Sequence, residues 1–182
     1  MNAKKWLMVF INVLGGMAVL GSYVHGILTH PGAADILWGG VPQSIQPFYT
    51  AGMFLAAAGY FAFTIFILNR LDPHHTQVAR RFGFSLFNAL YAAILIPSAL
   101  WMPLTFLAIE RSSSALVWLV RIVLGVVGGA SLGLLFSLIK VEPHRPRWAH
   151  WIAVAGSVFF CIQTVILDAI LWGALFQPGI TS

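Results

Sequence analysis

The chain has 182 residues, of which 59% are hydrophobic and only 8% are charged. Because a soluble domain carries roughly a quarter charged residues, this composition excludes a soluble protein. The formal net charge is +5, but the basic residues are scattered beside apolar segments, which argues against nucleic acid as a partner. We therefore predict a single transmembrane domain over residues 1–182, with membrane lipid as its surroundings.

Five apolar runs predict transmembrane helices, in chain order, over residues 6–28, 47–68, 82–109, 115–139 and 148–176. Pro, Gly, Asp and Ser residues that break helices separate these runs. Only the first connection, residues 29–46, is long, and it contains no Lys or Arg. The predicted fold is an all-α bundle of five transmembrane helices.

The basic residues are concentrated on one side of this topology. Cytoplasmic connections accumulate Lys and Arg. Eight of the 10 basic residues lie at the N-terminus or in the second and fourth connections, whereas Arg111 lies in the third and Arg121 inside helix four. This pattern predicts a cytoplasmic N-terminus, an outer C-terminus and an outer first connection. We expect the membrane to be a bacterial inner membrane.

Two charged residues inside the predicted helices are candidates for function, because ionisable groups in a membrane are costly. At 1.5 Å per residue, Arg121 lies about 9 Å and Asp168 about 12 Å inward from the outer ends of their helices. Their similar depth predicts an ion pair between helices four and five. The alternative is that Arg121 extends to the outer headgroups, which the short Asp168 side chain cannot do.

Other polar and aromatic residues share this level and predict a ligand-binding pocket in the outer half of the membrane. The long first connection lies above it and provides a cover. An aromatic belt at the membrane interface is the competing interpretation. The candidate ligand-binding residues are Tyr23, His25, Trp38, Trp101, Arg121, Asp168 and Trp172. Gln163 lies about 140° around a regular helix from Asp168, which does not predict that the two line the same wall.

Metal and haem binding are disfavoured by the positions of the six histidines. No two of them are expected at one depth on facing helices, as two axial haem ligands require. A metal site built from His25, His30 and Asp35 is an alternative, but a loop that merely uses these polar residues accounts for them better. We predict no metal site, and the sequence identifies no cofactor.

Small residues recur every four positions along predicted helix four, at Gly125, Gly129 and Gly133. Such a face lets another helix approach closely. The partner is either a helix of the same chain or a second copy in a homodimer.

The third predicted helix contains Ala89-Leu90-Tyr91, then Leu95, then the run from Ala99 through Trp101 and Pro103 to Phe106. This segment resembles the third helix of the translocator protein or tryptophan-rich sensory protein family. The five-helix layout, the long first connection with Trp and Pro, and the entry to helix two through Pro47-Phe48-Tyr49 are similar too. The resemblance implies a bundle that binds hydrophobic ring systems, such as porphyrins or sterols, beneath the first connection.

Three functions follow as hypotheses. The first is binding, or help in transport, of a lipophilic ring-type molecule, with the Arg121 cation suited to a ligand carboxylate. The second is a structural subunit of a larger membrane complex. The third is an intramembrane lipid isomerase in which Asp168 exchanges a proton.

Overall fold

The computed structural model describes residues 2–143 and 146–176. Five helices are long and apolar enough to cross a membrane, as predicted, and the chain is therefore an integral membrane protein. Four of them are α1 (Ala3–Thr29), α3 (Gln46–Arg70), α4 (Ser85–Glu110) and α5 (Ser114–Lys140). The fifth, helix five (Arg147–Leu175), consists of α6 (Arg147–Cys161), a π-helical segment (Ile162–Trp172) and α7 (Gly173–Leu175).

The helices form a ring in the order α1, α4, α5, α6 and α3, in which each packs against the next. The ring closes between α3 and α1, where the Tyr60 hydroxyl donates a hydrogen bond to Asn12 Oδ1 at 2.6 Å. Fully buried aromatic side chains, among them Phe63, Phe87 and Tyr91, fill its centre. Many large apolar side chains instead point outward, as expected where the surroundings are lipid tails.

The closest helix approach is that of α3 and α6, at Gly59 and Gly156. A Cβ atom added at Gly156 would lie 2.8 Å from the Gly59 Cα and 2.9 Å from the Gly59 carbonyl oxygen. Only the absence of side chains lets the two backbones come so near.

A small sheet accompanies the predicted helical bundle. Three strands of two residues each, β1 (Gln77–Val78), β2 (Phe82–Gly83) and β3 (Val141–Glu142), form an antiparallel sheet in the order β2-β1-β3. Helix three was predicted to start at residue 82, but β2 occupies that position and α4 starts at Ser85. The physical reason is that backbone groups in these connections need partners once the helices have ended, and the strands provide them.

The long first connection contains a short helix, α2 (Ala33–Trp38), at the opposite end of the bundle from the sheet. Gly32 and Gly39 flank it with φ angles of 76° and 56°. These left-handed angles favour glycine and turn the chain sharply on both sides of α2. We call the two ends of the bundle the sheet end and the α2 end.

The small residues of α5 do not share one environment. A Cβ atom added at Gly125 or Gly129 would meet nothing within 4 Å, whereas one at Gly133 would lie 3.0 Å from Leu90 Cδ2. In the described part of the chain, only Gly133 of these three glycines thus packs against a neighbouring helix. The homodimer stays a prediction, with Gly125 and Gly129 on the outward surface.

We expect Gly156→Ala to destabilise the bundle, because the added Cβ collides with the Gly59 backbone, which cannot rotate away. Overpacking of this kind costs roughly 1–3 kcal/mol. Gly129→Ala is the matched control, since its Cβ meets only open space, and it should be neutral or stabilising by about 0.5–1 kcal/mol. Unfolding of the purified variants in denaturing detergent measures both. Equal stability of the two variants would contradict the close α3–α6 contact.

Candidate functional site

A carboxylate within the bundle is the centre of the candidate site. Asp168 Oδ1 accepts hydrogen bonds from the Tyr49 hydroxyl at 2.5 Å and from Gln163 Nε2 at 2.9 Å. Tyr49 comes from the first turns of α3, and its side chain is buried. The second oxygen, Oδ2, has no hydrogen-bond partner among the residues that the structure describes. The carboxylate is therefore anchored through one oxygen, while the other remains available.

The π-helical segment explains how Gln163 reaches Asp168. Its backbone hydrogen bonds join residues five apart, whereas those of an α-helix join residues four apart. Residues 163 and 168 therefore lie on the same side, one wide turn apart, and their side chains meet. The 140° separation expected from a regular helix is wrong because helix five is not regular here.

The ion pair expected between Arg121 and Asp168 does not form. Arg121 Nε instead donates a hydrogen bond to the Gly173 carbonyl oxygen at 2.8 Å, and its guanidinium carbon lies 4.9 Å from the centre of the Trp118 ring. Gly173 lies near the end of helix five, where carbonyl groups lack intrahelical partners. Arg121 thus links α5 to that end and leaves the Asp168 carboxylate to Tyr49 and Gln163.

Aromatic residues from five elements lie around this carboxylate. The Trp101 ring lies 5.8 Å from that of Tyr23 and 5.4 Å from that of Trp172, between ring centres. Trp38 of α2 meets Tyr49 edge to face at 5.7 Å, and the Tyr49 hydroxyl is hydrogen-bonded to Asp168. Five of the seven predicted residues, Tyr23, Trp38, Trp101, Asp168 and Trp172, therefore come together.

Trp172 also holds α2 over the site. Its indole Nε1 donates to the Leu37 carbonyl oxygen at 2.8 Å, and its side chain is only 3% exposed. A tryptophan of an interfacial belt would be exposed to lipid headgroups, so an aromatic belt does not account for Trp172. The short helix is thus connected to helix five as well as to α3.

Two predicted residues lie outside this cluster. His25 is exposed and lines a separate groove of about 220 Å³ between α1 and α4, while Arg121 makes the contacts described above. Among the described residues, no group of three His, Cys, Asp or Glu side chains could hold a metal ion. His25, His30 and Asp35 do not form such a group.

The site contains buried polar atoms that lack partners within the described residues, namely Trp101 Nε1 and Gln163 Oε1. Gln163 Oε1 faces Gly52 of α3, where an added Cβ would lie 2.7 Å from it. Trp101 Nε1 is a donor and Gln163 Oε1 an acceptor. Because such atoms are normally paired, a bound molecule with both functions would satisfy them.

Sequence reasoning did not assign Tyr49 and Gln163 to the site. The sequence places the amide of Gln163 near the middle of the membrane, but the geometry of a regular helix predicts that this side chain points away from Asp168. Tyr49 follows Pro47 at the start of α3, and nothing in its sequence surroundings connects it with helix five.

Comparison with protein-family models, with characterised proteins and with solved structures finds no match to this chain. The resemblance to the translocator protein family therefore stays a prediction.

We expect double-mutant cycles to separate the contact that forms from the one that does not. Tyr49→Phe and Asp168→Ala remove the two ends of a hydrogen bond, so their unfolding free energies should couple by about 0.5–3 kcal/mol. Arg121→Gln and Asp168→Ala should add within about 0.5 kcal/mol, because these side chains do not touch. Strong coupling between the Arg121 and Asp168 substitutions would instead show that these two side chains form an ion pair.

Proposed function

We propose that the chain binds a lipophilic, ring-type small molecule at the Asp168 cluster and thereby helps its transport. The observation that carries this proposal is a pair of buried polar atoms that lack partners among the described residues, Gln163 Oε1 and Trp101 Nε1, together with Asp168 Oδ2, which accepts no hydrogen bond from these residues. Leaving a buried donor or acceptor unpaired costs about 1–3 kcal/mol. A ligand that supplies the missing hydrogen bonds would recover that cost.

The polar end of the ligand should be a hydrogen-bond donor. A carboxylate and an amide oxygen accept hydrogen bonds, and a ligand hydroxyl can donate to either while it accepts from the Trp101 indole N–H. Arg121, the cation expected to hold a ligand carboxylate, is engaged with Gly173. We therefore favour a sterol-like alcohol over a porphyrin, whose acidic groups would be repelled by Asp168.

The aromatic residues suit the flat apolar body of such a molecule. Trp38 and Trp101 offer large, stiff surfaces, and the Trp172 bond to Leu37 keeps α2 above them. The sharp turns at Gly32 and Gly39 place this cover between the end of α1 and the start of α3.

We further propose that the α2 end faces outward and the sheet end faces the cytoplasm of a bacterial inner membrane. The support is the distribution of basic residues, most of which lie at the sheet end: Lys4, Lys5, Arg70, Arg80, Arg81, Lys140 and Arg147. The ligand site would then open toward the outer half of the membrane.

Reporter fusions test this orientation. An alkaline phosphatase fused after Ser182 should be active, because that enzyme matures only outside the cytoplasm, whereas a fusion in the connection between α3 and β1 should be inactive. A cytoplasmic fluorescent reporter at both positions should give the opposite pattern. Activity of the phosphatase in the α3–β1 connection would overturn the orientation.

A second function is favoured by one contact. The Tyr49 hydroxyl donates to Asp168 Oδ1 at 2.5 Å, which places a weak acid directly on a carboxylate. Such a pair can exchange a proton with a bound substrate, as in an isomerase that moves a double bond of a lipid or sterol. Turnover of a bound unsaturated sterol, lost in Asp168→Asn, would select this function over binding alone.

Substitution of Trp101 tests the binding proposal. Trp101→Phe keeps an aromatic ring but removes the indole N–H, so we expect affinity for a fluorescent hydroxysterol to fall about fivefold, as for one lost hydrogen bond. The emission polarisation of the sterol in detergent micelles measures this binding. A steroid with a ketone in place of the hydroxyl should bind wild-type protein more weakly, because it cannot donate to Asp168.

Trp148→Phe is the control, since Trp148 is 63% exposed at the sheet end, and its affinity should equal that of wild-type protein. If Trp101→Phe and Trp148→Phe bind the sterol equally well, the sterol merely partitions onto the apolar surface and the proposed site is wrong.

A further inference from the structure

The groove between α1 and α4 is a second place where a ligand could bind, apart from the Asp168 cluster. It encloses about 220 Å³ at the α2 end of the bundle. Pro103, Phe106 and Leu107 form an apolar wall, while His25, His30 and Glu110 supply polar groups. The groove is thus apolar along one side and carries a carboxylate at the end of α4.

The electrostatics of this groove favour a cation. Both helices that form it end here, α1 at Thr29 and α4 at Glu110. The C-terminal end of a helix carries a partial negative charge, equivalent to roughly half an elementary charge. The Glu110 carboxylate adds a full negative charge at the same place.

His30 already occupies one oxygen of this carboxylate. Its Nε2 lies 3.1 Å from Glu110 Oε1, and its ring stacks on Phe106 with 3.8 Å between ring centres. The other nitrogen, Nδ1, lies 3.1 Å from the Gly26 carbonyl oxygen. It also lies 2.9 Å from the Thr29 hydroxyl.

These neighbours determine where the protons of His30 must be. The Thr29 hydroxyl donates its proton to the His25 carbonyl oxygen at 2.7 Å, so its oxygen can only accept from His30. Nδ1 is therefore the donor, and Nε2 can donate to Glu110 only if the imidazole is doubly protonated. When His30 is neutral, its Nε2 lone pair faces the carboxylate, and Glu110 lacks a cation.

We propose that the groove binds the primary ammonium headgroup of an aminophospholipid, such as a phosphatidylethanolamine, with Glu110 as its acceptor. The ammonium group replaces the proton of His30 as the positive partner, and an acyl chain lies along Pro103, Phe106 and Leu107. A quaternary headgroup such as choline has no N–H and cannot make this hydrogen bond. The proposal does not rest on a ligand at Asp168.

The other charged or titratable groups around the groove come from three elements. His25 lines it from α1 and, when protonated, would repel the ammonium group, as protonated His30 would. Arg111 follows Glu110 at the end of α4 but is exposed and outside the lining. Asp35 lies on α2, also exposed.

Native mass spectrometry of the purified full chain tests the proposal, with equimolar phosphatidylethanolamine and phosphatidylcholine that carry the same acyl chains. We expect ethanolamine adducts to exceed choline adducts about fivefold.

Two substitutions make the test specific to this groove. Glu110→Gln should bring the adduct ratio close to one, whereas Glu142→Gln, a change at an exposed carboxylate of the sheet end, should leave it unchanged. His30→Gln should retain the preference. An adduct ratio near one in wild-type protein, or an unchanged ratio in Glu110→Gln, would overturn the proposal.

Discussion

The structure depends on the need to satisfy a carboxylate inside a membrane bundle. Water is absent from the hydrocarbon region, so each polar group there must find its partner within the protein. Asp168 obtains two, Tyr49 and Gln163, from different helices. The pairing with Tyr49 brings the start of α3 against helix five, and the pairing with Gln163 requires the wide turns of the π-helical segment. The geometry of the site follows from this arrangement.

Hydrogen bonds to neighbouring elements hold the residues of the site in place, while some of its polar atoms have no partner among the described residues. Trp38 of α2 packs on Tyr49 of α3, and Trp172 of helix five donates a hydrogen bond to Leu37 of α2. The short helix α2 therefore connects α3 with helix five. Preorganised groups lower the entropy lost on binding. The lone oxygen of Asp168 and the indole of Trp101 are then groups with unused hydrogen-bonding capacity among the described residues.

Sequence reasoning was most successful with the helices, because a long apolar run in a chain with so few charges is typical of a helix that crosses a membrane. It also expected Trp101, Asp168 and Trp172 at one level, since depth along a helix can be counted from the residue rise, and the Trp101 and Trp172 rings are in contact. The role of these residues in ligand binding stays a prediction. Sequence reasoning failed with Arg121, because depth alone does not show which way around a helix a side chain points. The guanidinium donates a hydrogen bond to the Gly173 carbonyl oxygen, a partner that the sequence pattern does not distinguish from other backbone groups.

The hairpin of the small sheet was also missed from the sequence. Ala79 and Arg80 occupy left-handed positions, where Asn or Gly would have indicated a turn.

The π-helical segment also affects how the rest of helix five can be interpreted. A turn of a π-helix contains more residues than a turn of an α-helix. The residues that follow the segment are therefore rotated relative to those of an unbroken α-helix. Trp172 and Gly173 reach Leu37 and Arg121 only after this rotation. Removal of a single residue from the segment would turn the final stretch by about 100°. A comparison that treats helix five as a regular α-helix would therefore assign the residues after the segment to the wrong faces. Polar positions that are shared with a related helix would then be missed.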